Sequence, residues 1–356
     1  MNNADLKTRL LCQGVRVPES MRTARRGGAG PAGGRYMVVG KMVVNCFVYG
    51  AATDSDIWLQ EEDETFFLVD KNPGSTSLDK VPVHVVDDPH FYALKTEEGV
   101  PYKKIALLHG VDCLATTVYQ KCIRWRTGPC WFCGIERSLE YGGTIERKTP
   151  HQLEAVAEAA KKEGASHVTL TTGTVNERDK GAFILAECTA ALKRTGLPVH
   201  SQLEPVSRRY LELLKDQGTD TIGIHIETVD RNLFEKICPS KDFKGFNSAW
   251  EDSVDIFGEN QVSSYVLVGL GEDERRMKTG IEDMVQRGVI PFVVPFRPLS
   301  GTVLEFHPLP SFKVVQMYSM WAAEKMVEVG INPFENEAGC VRCGACSSVK
   351  EYLGTI

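Results

Sequence analysis

The stretch TPHQLEAVAEAAKKEGASHVTLTTGT, residues 149–174, decides the fold. Thr149 suits a helix cap, and Pro150 suits the first helical position, where a missing N–H costs nothing. Leu153, Val156, Ala157 and Ala160 then fall on one helical face, and Gly164 supplies the stop. Residues 167–171 follow as a short strand, and the chain leaves it through the polar turn Thr171-Thr172-Gly173-Thr174.

The same alternation continues downstream. Strand candidates lie at 198–203, 221–227, 262–268 and 289–296, separated by helix-compatible stretches at 182–193, 206–215, 247–257 and 277–286. A further helical segment, 312–329, follows the last strand. Upstream, 104–109 is apolar and β-compatible, and 114–119 runs into a group of cysteines. Strand and helix in alternation imply right-handed parallel βαβ units. The expected fold is α/β, a partial (β/α)6 TIM-like barrel.

Residues 36–100 read differently. Short β-type runs at 37–39, 42–44, 66–69 and 81–86, divided by Asp, Gly and Pro, predict a small strand-rich N-terminal module. The glycine-rich run 26–34 reads either as a linker or as a loop whose backbone approaches a ligand, a lid over a site. The expected organisation is an N-terminal module at 1–104, a barrel at 105–310 and a Cys-rich C-terminal extension at 311–356.

The 356 residues are 42% hydrophobic and 25% charged, as in ordinary globular proteins. A net charge of -6 argues against a nucleic-acid-binding surface, which carries a basic footprint. No stretch approaches the length of a membrane span, and no apolar segment follows the first residues as a secretory signal requires. The cytoplasm is the expected location. Six of the eleven cysteines form two tight groups, 122/130/133 and 340/343/346. Clustered thiols in a reducing compartment point to metal ligation or redox chemistry.

The first group reads Cys122-Ile-Arg-Trp-Arg-Thr-Gly-Pro-Cys130-Trp-Phe-Cys133. Three thiolates can hold three irons of a 4Fe–4S cluster and leave the fourth open to a small molecule. A zinc site completed by His109 or another cysteine fits the three residues equally well. Downstream residues separate the two. Cys130-Trp131-Phe132-Cys133 resembles the second half of the C-x3-C-x-aromatic-C fingerprint of the radical S-adenosylmethionine (SAM) superfamily. Here seven residues, instead of three, precede it after Cys122, and Cys113 is the alternative first ligand.

Further marks follow in the family's order, each at a predicted strand end, where barrel enzymes place their chemistry. Thr172, Gly173 and Thr174 resemble the turn that receives the amino group of SAM. His225-Ile226-Glu227 resembles the biotin-synthase-like motif whose acid binds the ribose hydroxyls, as Glu227 would. Tyr265 to Glu272 resembles the adenine-binding segment, placing Leu267 and Gly269 at the cofactor. Together with Leu108-His109-Gly110, Pro295-Phe-Arg297-Pro298 and Gly339-Cys340, these residues look most like a radical SAM family of unsettled activity often encoded beside a nitrilase.

The second group, Cys340-Val-Arg-Cys343-Gly-Ala-Cys346, opens a ferredoxin-type cluster motif without its fourth cysteine. Cys113, Cys238 or the substrate could complete it. An auxiliary iron–sulfur cluster, structural zinc and free thiols all remain open readings. His200, Gln202 and Glu204 alternate on the third strand, either facing a substrate or making a half-polar edge. Arg297 can clamp a substrate carboxylate bidentately or serve in an ion pair.

The resemblance implies an enzyme with a 4Fe–4S cluster and SAM as cofactors. Reductive cleavage would yield a 5′-deoxyadenosyl radical that takes hydrogen from a small-molecule substrate. A reductant such as flavodoxin or ferredoxin is the implied partner, with no nucleic acid and no membrane. A second cluster would serve sulfur insertion or electron transfer. The alternative is a non-catalytic iron–sulfur or zinc protein acting as electron carrier or scaffold, which SAM binding would distinguish.

Overall fold

The computed structural model describes residues 2–21, 34–71 and 80–356. Its larger sheet has seven strands: β6 (Leu107–His109), β7 (Cys113–Thr117), β8 (His167–Thr171), β9 (Val199–Leu203), β10 (Thr221–Ile224), β11 (Val262–Val268) and β12 (Ile290–Pro295). They lie in the order β12-β11-β10-β9-β8-β7-β6. From β7 to β12 every pairing is parallel. β6 turns back antiparallel onto β7 through Gly110, whose φ is +61°. The curled sheet is the half-barrel that the alternating pattern predicts.

Helices cover the outside: α2 (Arg137–Glu140), α3 (Pro150–Lys162), α4 (Ala182–Lys193), α5 (Arg208–Asp216), α6 (Arg231–Ile237), α7 (Gly245–Phe257), α8 (Glu274–Gln286) and α9 (Phe312–Val329). Thr149 caps α3 in a reciprocal capping box with Gln152, which fixes where the helix starts. β7 and β9 are buried at every position, as a parallel sheet covered on its faces requires. One reading of β9 is thereby corrected: it sits centrally between β8 and β10 and is no half-polar edge. The strand expected at 221–227 ends at Ile224, and Glu227 returns in a single bridge to Val266.

The N-terminal module has its own apolar core, with Leu10, Met37, Val44, Ile57 and Leu68 at its centre. Its strands are β1 (Arg35–Val39), β2 (Met42–Cys46), β3 (Ile57–Glu62), β4 (Thr65–Asp70) and β5 (Val81–Val85), antiparallel in the order β2-β1-β5-β4-β3. Helix α1 (Asn3–Gln13) packs on β2 and on two C-terminal helices, α9 and α11 (Val349–Leu353). Lys7 donates to Glu351 and to the Gly344 carbonyl, and Thr8 bonds Ser348.

A short helix, α10 (Gly339–Cys343), touches β7, β8, β9 and β12. The chain just before it meets the strand starts: Gly339 N–H donates to His167 Nδ1, and Thr221 donates to the Ala338 carbonyl. This segment therefore plugs the floor of the half-barrel. Residues 26–33 of the glycine-rich run lie outside the described residues. Among the described residues no helix is long and apolar enough to cross a membrane.

Candidate functional site

The strand ends open on a cavity. Cys122, Cys130 and Cys133 line one part of it. Residues 171–174, Gln202 to Glu204, His225, Glu227 and Lys241 line the rest. The cysteine loop leaves β7 and is pinned from both sides. Ile123 N–H donates to the Thr174 carbonyl at 2.9 Å, and Trp131 N–H to the Ile237 carbonyl at 2.9 Å. Gly173 is required for this approach, because a Cβ there would collide with the Lys121 carbonyl.

Charge is concentrated at Glu204. Arg124 grips it with two bonds, Nε at 3.0 Å and Nη2 at 3.1 Å, while Thr174 donates at 2.6 Å and Lys180 at 3.3 Å. Burial opposes ionisation of Glu204, but Lys241, Arg124 and Thr174 outweigh it and hold the carboxyl down to about 2. Glu227 differs. Burial pushes it up to about 7 against the pull of Lys241, whose ammonium lies 3.9 Å away. Glu227 also has φ +69°, a conformation that side chains avoid unless the surroundings impose it. Its carbonyl is tied to Leu267 N–H at 2.7 Å.

The thiols differ among themselves. Cys238 beside it and the Lys241 ammonium draw the Cys130 thiol down against the effect of burial. Burial pushes Cys133 up to about 12. Among the described residues no three His, Cys, Asp or Glu side chains are placed to hold a single metal ion. Three thiols share one cavity wall without converging on one point. Three thiols on one wall are a donor set that fits three irons of a 4Fe–4S cluster and leaves the fourth open.

The other expected residues divide. Thr172 to Thr174, Gln202, Glu204 and Glu227 reach the cavity, but Leu267 and Gly269 are not part of its wall. Gly269 N–H donates to the Glu272 carboxylate, and its carbonyl pairs with His307 Nε2 at 2.8 Å. Arg297 goes elsewhere. Its Nη2 donates to the Leu11 and Asn45 carbonyls at 3.1 and 2.7 Å, and its guanidinium lies over Phe47, so it ties the N-terminal module to the barrel. Cys113 begins β7, at the opposite end from the cavity. Cys238 takes a place beside Cys130 instead. Arg124, Lys180 and Lys241 were missed by sequence reasoning. Arg124 had a signal, since it lies inside the lengthened spacing after Cys122.

The second thiol group occupies the floor. Cys340 Sγ accepts from Tyr265 Oη at 2.8 Å and from Gln202 Nε2 at 3.5 Å, and Cys346 Sγ accepts from Asn45 Nδ2 at 3.3 Å. Cys343 Sγ packs where a side chain on Gly110 would otherwise stand. Cys113 bonds Thr169 at 3.2 Å, close enough to Cys343 and Cys340 for their charges to act on it.

Comparison with known proteins gives a consistent result. Residues 124–283 match the Radical SAM superfamily. An uncharacterized protein of Methanocaldococcus jannaschii is 25% identical over 190 residues, 50% of this chain and 48% of that protein. The lipoyl synthase of Geobacter sp. (strain M21) is 26% identical over 164 residues, 45% of this chain and 54% of the relative. The chain thus spans about half the length of the curated relatives it matches. The crystal structure of methylornithine synthase superposes with a TM-score of 0.47 at 20% identity, covering 59% of this chain and 61% of that one.

Proposed function

From the match of residues 124–283 to the Radical SAM superfamily we propose an enzyme that acts on a small-molecule substrate by hydrogen abstraction. A 4Fe–4S cluster and SAM are the cofactors of that superfamily. When bound, they supply a 5′-deoxyadenosyl radical by one-electron cleavage of the sulfonium. Everything else falls to the residues of the cavity.

Cys122, Cys130 and Cys133 are the proposed cluster ligands. The single observation that carries the reading is their convergence on one cavity with the 171–174 turn and Glu227. The carbonyls of Thr172 to Thr174 offer acceptors for the SAM amino group. Arg124 and Lys241 provide cations for a carboxylate, and Glu204 keeps them in place. The Glu227 carboxylate can accept from both ribose hydroxyls. Its imposed backbone conformation supports a role in holding a ligand over one in packing. Electrons would arrive from a carrier such as flavodoxin or ferredoxin.

The test is anaerobic reconstitution with iron and sulfide counts and a SAM-cleavage assay. We expect release of 5′-deoxyadenosine on reduction of the wild type. A Cys122→Ala, Cys130→Ala, Cys133→Ala variant should lose that activity completely. Undiminished cleavage in the variant would sink the assignment, and a wild type that binds no SAM would identify an electron carrier or scaffold.

A further inference from the structure

The floor of the half-barrel holds four cysteines where the C-terminal motif alone supplies three. Cys340, Cys343 and Cys346 come from the plug segment, and β7 contributes Cys113 from its first position. Cys113 is within electrostatic reach of Cys340 and Cys343, and each of these two is within reach of Cys346. Cys113 and Cys340 also share Thr169. The backbone is shaped for them. Gly110 makes room for Cys343 Sγ, and Gly339, at φ +86°, lies so close to His200 that a Cβ would collide with the imidazole ring. The plug is held at three further points: Thr221 on the Ala338 carbonyl, His167 on Gly339 N–H, and the Asn45 N–H on the Ala345 carbonyl.

We infer that Cys113, Cys340, Cys343 and Cys346 ligate a second 4Fe–4S cluster, closed to substrate and in contact with the cavity through Gln202 and Tyr265. A C-x2-C-x2-C run completed by a distant cysteine is the ligand set such a cluster takes. Four protein thiolates leave no iron free to bind a substrate, and the role we assign to such a closed site is the passage of single electrons.

Two donors face the cavity side of this site. Gln202 lines the cavity and donates to Cys340 Sγ. Tyr265 donates to the same sulfur through its hydroxyl, and its ring stacks on cavity-lining His225 at 4.1 Å and 9°. Hydrogen bonds to a ligating sulfur stabilise the reduced, more negative cluster and raise its potential. Tyr265 and Gln202 are therefore positioning residues that suit this cluster to accept the one electron that a substrate radical in the cavity loses as it becomes a closed-shell product.

The test uses the Cys122→Ala, Cys130→Ala, Cys133→Ala variant, in which the cavity cluster cannot form, so its outcome is independent of SAM cleavage. Reconstituted wild type should hold about eight irons and this variant about four, with a paramagnetic signal on reduction. Adding Cys113→Ala should remove that signal or convert it to a three-iron form. Tyr265→Phe in the same background should keep the iron and shift the midpoint potential downward. A variant that binds zinc, or no metal, overturns the inference. So does a four-iron signal unchanged by Cys113→Ala, or a potential unmoved by Tyr265→Phe.

Discussion

Single atoms carry much of the argument. Thr221 gives its proton to the Ala338 carbonyl, so at the 2.6 Å contact with His200 the imidazole Nδ1 must be the donor. Nε2 is then a bare lone pair in the barrel interior, and burial presses the imidazole down to about 3. Between that value and the ordinary 6.5 the unfolded chain binds a proton that the folded chain refuses. Unfolding free energy should therefore fall as pH drops through this window, by at most about 1.4 kcal/mol per unit from His200. Urea denaturation of metal-free protein at pH 7 and pH 5 measures it, and His200→Asn, which keeps a donor near Nδ1, should flatten the slope. An equal slope in the variant would assign the acid sensitivity elsewhere. Gly173 gives a second prediction. Gly173→Ala drives a methyl into the Lys121 carbonyl and must displace the backbone that leads into Cys122, so SAM-dependent turnover should drop at least tenfold while the far-ultraviolet spectrum is kept. Neither effect was legible in the sequence, where His200 reads as facing a substrate or as part of a half-polar edge, and Gly173 as one glycine of a turn. Both depend on what stands opposite across the barrel.

At the scale of elements the sequence was read nearly to the residue in the barrel and poorly outside it. Short β-compatible runs set between helical stretches mark the strands, and the predicted bounds of 167–171 and 262–268 match β8 and β11. β3 escaped because Ile57-Trp-Leu gives way to Gln-Glu-Glu, and α1 because its buried face includes Lys7 and Thr8. Those two polar residues are buried only because α11 supplies their partners. Arg297 shows the same dependence on distant partners: its acceptors are main-chain carbonyls on α1 and β2, which no motif records. Arg297→Met should therefore cost about 2–3 kcal/mol in urea denaturation, from two charge-assisted bonds and the contact with Phe47. SAM affinity measured by calorimetry should stay within twofold. A variant of unchanged stability with lost substrate turnover would restore the substrate clamp.

For the whole molecule, the two thiol groups differ less in chemistry than in what they tie together. Cys122 to Cys133 closes one short loop at the mouth. Cys113 with Cys340 would join the first barrel strand to the C-terminal plug, and the plug is in turn held by α1 through Lys7 on Gly344 and by β2 through Asn45. Which end of the barrel a cysteine serves was hidden in the sequence, because it depends on whether the residue begins a strand or follows one. Cys113 begins β7, and Cys238 follows α6 and packs beside Cys130. Chain entropy turns this difference into a magnitude. Closing the roughly 230 residues from Cys113 to Cys340, against the roughly ten inside the first group, is worth about 2.7 kcal/mol more in restricting the unfolded chain. Metal that binds the folded state adds its binding free energy to stability. Stripping iron from a Cys122→Ala, Cys130→Ala, Cys133→Ala variant, which retains the floor site, should therefore lower its Tm by several degrees. Stripping a Cys340→Ala, Cys343→Ala, Cys346→Ala variant, which retains the cavity site, should lower it by clearly less. Anaerobic differential scanning calorimetry on both variants, with and without reconstitution, gives the four values. A larger loss from the cavity site would mean that the floor cysteines do not bridge barrel and plug.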